Sequence, residues 1–320
     1  MRNNPIHLCA SHSEISEVPP GLYQGKSWVE LALEGNTPGT WQAWEKLSSL
    51  PSTPLIEKSA LENRLGWLSC MSMLGASDIL DSDRRLREDL RGIMSIHCGT
   101  MMRGGVSGVR NAMRLGIDHK EFARMEAMAH EYINYIHPLT PLINLPNLLA
   151  SELCMQLMIE NENSVYFSES SGAMAFMDAC RTLRCKASEL ALVVSGHGFG
   201  PHMLELIMAN WEILNAEFTQ SSWFPAEAGI SLLLGTEAGI RKAGLTPLMQ
   251  IDSIGLGQKG GDYLWQGVSN GPDPICAKSL YDVCKARDFT VDSFSTVCQH
   301  LDGIKLEINW KRPGSHEQSN

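Results

Sequence analysis

Val165–Leu183 reads VYFSESSGAMAFMDACRTL, and its interpretation decides the fold. Val165-Tyr166-Phe167 is a short β-type run, and Ser168-Glu169-Ser170-Ser171-Gly172 is a turn of small and polar residues. From Ala173 the apolar positions Ala173, Phe176, Met177, Cys180 and Leu183 recur at helical spacing. The stretch therefore predicts a strand, a tight elbow and a helix, with Glu169 and Ser170 at the elbow. Free N–H groups at a helix start stabilise negative charge, which makes such elbows common seats for nucleophiles. An ordinary strand-to-helix connection with a Ser cap reads the same way.

Composition narrows the classes around this stretch. A chain of 320 residues, 43% hydrophobic, buries a large core in one big or two modest domains. The net charge of −10 argues against a nucleic-acid partner, because phosphate binding needs clustered Lys and Arg. Nine cysteines form no C-x-x-C pair, so neither a disulfide framework nor a metal site is expected. The start, MRNNPIHLCAS, has no signal-peptide core, and no run of about 18 apolar residues predicts a membrane span. A cytoplasmic protein without a cofactor is expected.

Upstream of the elbow, Ile6–Ala10 predicts a strand, and Ser59 with Glu62 has the spacing that opens a helix towards Leu74. The charged run around Arg84 predicts a solvated surface, and 91–97 a strand. Helices are expected near 106–115 and 118–136. Three prolines in HPLTPLINLPNLLASEL then force an extended path until a helix begins at Asn147. Downstream, the apolar run in 189–195 predicts a strand covered on both faces, ending in the loop Gly196-His197-Gly198-Phe199-Gly200. A second buried strand is expected at 230–234. Alternating helices and strands predict α/β layering, with no internal repeat visible by eye.

The order of these segments resembles the β-ketoacyl synthase branch of the thiolase superfamily. In that family a proline-rich stretch ending LPN precedes a nucleophile elbow with the motif Cys-Ala-Ser-Gly-Ala. Here Pro138–Leu149 is similar to the first part, and Glu169-Ser170-Ser171-Gly172-Ala173 stands where the elbow would be. Leu190–Gly198 and Ala226-Glu227-Ala228-Gly229 resemble the next two motifs. The resemblance implies a thiolase-like α-β-α-β-α fold, here with residues 1–239 as an N-terminal ketosynthase-like half. Residues 240–320 would form a shortened C-terminal half, closing in the polar tail INWKRPGSHEQSN.

The departures from the pattern set the functional expectation. Glu169 stands at the cysteine position, and a carboxylate would hold an acyl group only as a labile anhydride. Asp262-Tyr263-Leu264-Trp265-Gln266-Gly267 resembles the first histidine motif but puts Gly267 in the histidine's place. Gln299-His300-Leu301-Asp302-Gly303 is similar to the second, so His300 is a candidate, and the preceding lysine falls near Ser295. The candidate catalytic residues are thus Glu169, Ser170 and His300. His97, His197 and His202 are weaker candidates, and Met101, Met102, Met113, Met125 and Met128 are core or tunnel positions.

The resemblance implies a non-condensing, chain-length-factor-like subunit of fatty-acid or polyketide/polyene-type synthesis. It would act with an acyl carrier protein, as a heterodimer with an active ketosynthase or as a homodimer. The alternatives are an enzyme using Glu169 as acid or base on an acyl or malonyl thioester, decarboxylase-like, and a pseudoenzyme without present function.

Overall fold

The computed structural model describes residues 5–15, 53–59, 61–100, 145, 147–198, 224–258, 272–273, 275–287, 292–299 and 304–313. The helices expected near 106–115 and 118–136 lie outside them, as do His202, the five methionines and the 262–267 motif.

Strand β1 (Ile6–Ile15) opens the chain. It is followed by helices α1 (Pro54–Lys58), α2 (Leu61–Gly75) and α3 (Glu88–Arg91) and strand β2 (Met94–Thr100). Next come helix α4 (Leu148–Leu157), strand β3 (Asn163–Phe167), helix α5 (Ser171–Arg184) and strand β4 (Leu190–His197). The run closes with β5 (Phe224–Pro225), β6 (Ala228–Thr236), helix α6 (Glu237–Ala243), β7 (Met249–Gln258) and β8 (Pro272–Asp273). A 3-10 turn (Ile275–Ala277) then leads into helix α7 (Lys278–Ala286), β9 (Ser293–Gln299) and β10 (Ile304–Lys311).

Eight strands form one mixed sheet in the order β3-β2-β4-β6-β1-β7-β10-β9. β2 runs parallel to β3 and β4, and the other pairings in this sheet are antiparallel. This order carries a symmetry that the sequence hides. β1-β6-β4 and β7-β10-β9 are mirror-ordered about the centre, and each outer strand follows a helix, α5 before β4 and α7 before β9. The topology thus repeats a unit where the residues show no repeat.

Two apolar cores divide the sheet faces. One packs α5 and α7 against strands of both halves, including Val193, Leu232, Ile251 and Ile308. Phe176 on α5 reaches Trp310 on β10, with ring centroids 6.5 Å apart. The other core packs α2, α4 and α6 on the opposite face. The sheet therefore carries α5 and α7 on one face and α2, α4 and α6 on the other, which is α/β layering.

Several local expectations change. β2 begins at Met94, because 88–91 turns as a short helix. The expected tail INWKRPGSHEQSN begins inside β10, where Ile308 and Trp310 are buried and the Trp310 indole donates to Thr296. His197 is the last residue of β4 and buried, rather than part of a loop. In each case tertiary packing covers a segment whose local residues read as polar or loop-like.

Candidate functional site

The elbow forms as its residues predict. β3 ends at Phe167 and α5 starts at Ser171, with the Ser171 amide donating to the Ser168 carbonyl at 3.2 Å. Ala173, Phe176, Cys180 and Leu183 are buried, and Met177 is partly so. Glu169 is half-buried at the turn. Ser170 is fully buried, with its hydroxyl 3.1 Å from that of Ser168, and its carbonyl accepts from Met174. Ser170 thus faces a neighbouring hydroxyl, which is no base for a serine nucleophile. His300 lies between β9 and β10 and outside the described residues.

A denser polar centre lies just inside the elbow, at the carboxyl ends of β2 and β4. Side chains here are positioned by backbone contacts that only glycine allows. A Cβ on Gly99 of β2 would stand 2.6 Å from the Gly172 amide nitrogen, so the α5 start lies directly on β2. A Cβ on Gly172 would stand 2.6 Å from the Cys276 carbonyl oxygen, which seats the turn before α7 on the same helix start. Gly196 and Gly229 likewise leave no room for a side chain against the Glu62 and Leu65 carbonyls of α2.

These contacts converge Thr100, Ser171, Ser195, His197 and Cys276, all 2% exposed or less. Cys276 Sγ lies 3.5 Å from His197 Nδ1 and 3.5 Å from the Gly196 carbonyl oxygen. Burial pushes the Cys276 thiol up to about 12, although the hydroxyls of Ser195 and Ser171 beside it favour the thiolate. Burial alone lowers His197 to about 4. Both groups are therefore neutral at pH 7.

Glu62, at the first turn of α2, points to the same region. Its Oε2 is 3.0 Å from where a Gly198 Cβ would stand, and burial raises its pKa. Glu227, also buried, precedes β6, and the charges of Glu62 and Glu227 act together on Arg64. Buried polar groups are costly in an apolar core, so their concentration here marks a candidate site. From sequence Cys276 is not singled out, Glu62 is named only for its capping spacing, and Glu227 only within a motif resemblance. The only signal near Cys276 is a proline-bearing stretch ahead of an amphipathic helix.

A second polar network lies at the other end of β2. Ser95 Oγ is 3.0 Å from His97 Nε2, and His97 Nδ1 is 3.0 Å from Asp178 Oδ2. This is the hydrogen-bond order of a hydrolase triad. However, Ser95 and His97 have no exposed surface, and Ser95 also bonds Ser188 and the Leu190 carbonyl. Burial lowers His97 against the pull of Asp178, so it is a neutral imidazole accepting from Ser95 and donating to Asp178. Burial works to raise Asp178, yet Arg181, Ser164, His97 and Tyr166 together hold it below the usual carboxylate range. The network ties α5 to β2 and β3, so His97 is structural. Among the described residues no group of His, Cys, Asp and Glu could hold a metal ion, and no helix is long and apolar enough to cross a membrane.

No family model matches the sequence, and no curated protein is significantly similar to it. Solved structures are similar in shape. One is a type II polyketide synthase acyl-carrier protein in complex with its ketosynthase bound to the hexaketide (AntDE:AntF). It superposes with a TM-score of 0.68 at 12% identity, over 97% of this chain and 100% of that one. A second is the ishigamide ketosynthase/chain length factor, with a TM-score of 0.59 at 12% identity and the same coverage, 97% and 100%. A third is a β-ketoacyl synthase from Burkholderia phymatum, with a TM-score of 0.61 at 9% identity, again over 97% and 100%. At such identities the likeness speaks for architecture: the chain has the thiolase-like fold of the ketosynthases.

Proposed function

We propose that this chain is a ketosynthase-like subunit that does not itself condense acyl chains. It works beside an intact ketosynthase and an acyl carrier protein, in the cytoplasm, in polyketide- or fatty-acid-type synthesis. One observation carries the reading. A strand, tight turn and helix are assembled over 163–184, and the turn carries Glu169 and an enclosed Ser170 bonded to Ser168 where the family resemblance would put a thiol nucleophile. The likeness in fold to a ketosynthase/chain length factor supports the same reading.

Pairing with a second subunit is part of the proposal. β3 is the end strand of the sheet, and Phe167 on it is 47% exposed, with Met155 and Met158 of the α4 end exposed as well. Among the described residues no strand pairs with the outer edge of β3, and such an edge beside apolar side chains favours a partner. Residues 1–239 would supply the elbow half, and 240–320 the half built on β7, β10 and β9.

Co-expression with an intact ketosynthase and an acyl carrier protein tests the proposal. The expected result is a stable complex whose product spectrum is unchanged by Glu169→Gln. Loss of turnover in that variant with the complex intact would favour Glu169 acid–base catalysis instead. Elongation of malonyl-carrier protein by the chain alone would overturn the proposal.

A further inference from the structure

We propose that His7 is the latch of an acid-opened seam between the two halves of the sheet. The seam is short. β1 meets β7 over three residue pairs, Ile6 with Ile251, His7 with Gln250 and Leu8 with Met249. It meets β6 along its whole length, from Ile6 with Thr236 to Ile15 with Ala228. One further bond, from the Leu248 amide to the Leu8 carbonyl at 2.7 Å, closes the end of the seam. β6 and β7 flank β1 and are joined through α6, so this crossover spans the strand that carries His7. Directly opposed residues share a face of a sheet, which puts the His7 side chain beside Gly235 and Gln250. A Cβ on Gly235 would stand 2.9 Å from Ile240 Cγ1, so α6 covers that face there. His7 is 7% exposed, and among the described residues neither of its ring nitrogens has a hydrogen-bond partner. A buried imidazole left unbonded is costly when neutral, and nothing within hydrogen-bond reach would hold the charge that acid adds.

The surrounding charges set the pH at which the latch gives. Among the described residues, the elements on this face carry Glu237, Arg241 and Lys242 on α6 and Glu62 and Arg64 on α2. β7 adds Asp252, which pairs with Lys311 at 3.0 Å, and Arg87 donates to the Lys242 and Ala243 carbonyls. On β1 itself, His12 and Glu14 pair with each other towards the far end. Cys9, held at about 12 by burial, stays a neutral thiol and donates to the His7 carbonyl. Burial lowers His7 below its ordinary 6.5 in the closed seam, and Glu237, which favours the protonated ring, does not overcome it. Released to water, the ring returns to about 6.5. The neutral ring therefore favours closure in full above 6.5, and that advantage is lost as pH falls from 6.5 towards the lowered value. The opened fraction then rises by up to about twenty-five-fold between pH 7 and pH 5. The shortest pairing gives first, and β7 leaves β1 while β1 stays on β6.

The test is amide hydrogen exchange, read by mass spectrometry on the isolated full chain at pH 7 and pH 5 and corrected for the intrinsic pH dependence of exchange. Peptides spanning Leu248–Ile251 should open more readily than those of β4 and α5 at both pH values. Their opening constant should rise severalfold on acidification, up to about twenty-five-fold. In His7→Gln, whose side chain takes no charge, that rise should vanish, whereas the rise in β4 and α5, driven by His197, persists. Seam peptides that open no more readily than β4 and α5 at pH 5 would mean that the seam has no opening of its own. That result overturns the proposal in the unaltered chain, with no variant required. So would a seam opening constant equal at the two pH values, or the same rise in His7→Gln. Neither carrier nor ketosynthase is present, so failure here leaves the subunit pairing to its own test.

Discussion

Acidification should weaken this fold through His197 in a way that one variant isolates. The imidazole is wholly buried and lowered to about 4, whereas the unfolded chain restores an ordinary value near 6.5. A histidine lowered in the folded state favours folding fully above 6.5, and that advantage is lost as pH falls from 6.5 towards 4. Going from pH 7 to 5, the unfolded state takes up a proton that the folded state refuses. The cost is about 2 kcal/mol at pH 5. His97 and His7 are lowered by burial too and add to the loss, while Glu62, raised by burial, opposes it. Comparison with His197→Gln removes these shared contributions. Urea unfolding at pH 7 and pH 5 should show the unaltered chain losing about 2 kcal/mol more than the variant. Equal losses in the two proteins would mean that His197 titrates normally, and the enclosed thiol–imidazole centre would not exist as described.

Other perturbations follow from single contacts. Gly172→Ala puts a methyl 2.6 Å from the Cys276 carbonyl oxygen and should cost about 1–3 kcal/mol in urea unfolding. Gly255→Ala, with no atom of the described residues within 4 Å of the new carbon, should stay within about 0.5 kcal/mol. Phe176→Ala removes a fully buried ring packed on Trp310 and should cost about 3–5 kcal/mol. Asp178→Ala strips the His97 network of its acceptor and should cost about 2 kcal/mol or more, undiminished by 1 M salt. Arg181→Ala should cost under about 1 kcal/mol, because its side chain is 68% exposed.

What could be read from the residues was whatever local pattern determines. The apolar periodicity of α5 and the unbroken run in β4 each specify an element and the faces it buries, so both were legible. The position of β6 between β1 and β4 was not, because register depends on pairing across more than 200 residues. The same holds for the centre inside the elbow. Cys276 meets His197 across a separation of 79 residues, through a glycine with no distinctive neighbours. Sequence reasoning drew attention to the elbow because its chemistry sits in contiguous residues, and it passed over the turn before α7 because its chemistry does not.

That difference bears on where the chemistry of this fold resides. α5 and α7 start at the same centre, each ahead of an equivalent antiparallel strand pair. The α5 start offers Glu169 and a serine bonded to another serine, while the α7 start offers a thiol beside an imidazole. Two helix ends of like polarity can stabilise one developing negative charge between them, whichever end carries the nucleophile. A helix start that carries no thiol therefore leaves the electrostatic setting intact for a group on the other. In a reconstituted complex, unchanged output from Glu169→Gln with altered output from Cys276→Ser would assign that setting to the second helix. The opposite pattern would return it to the elbow.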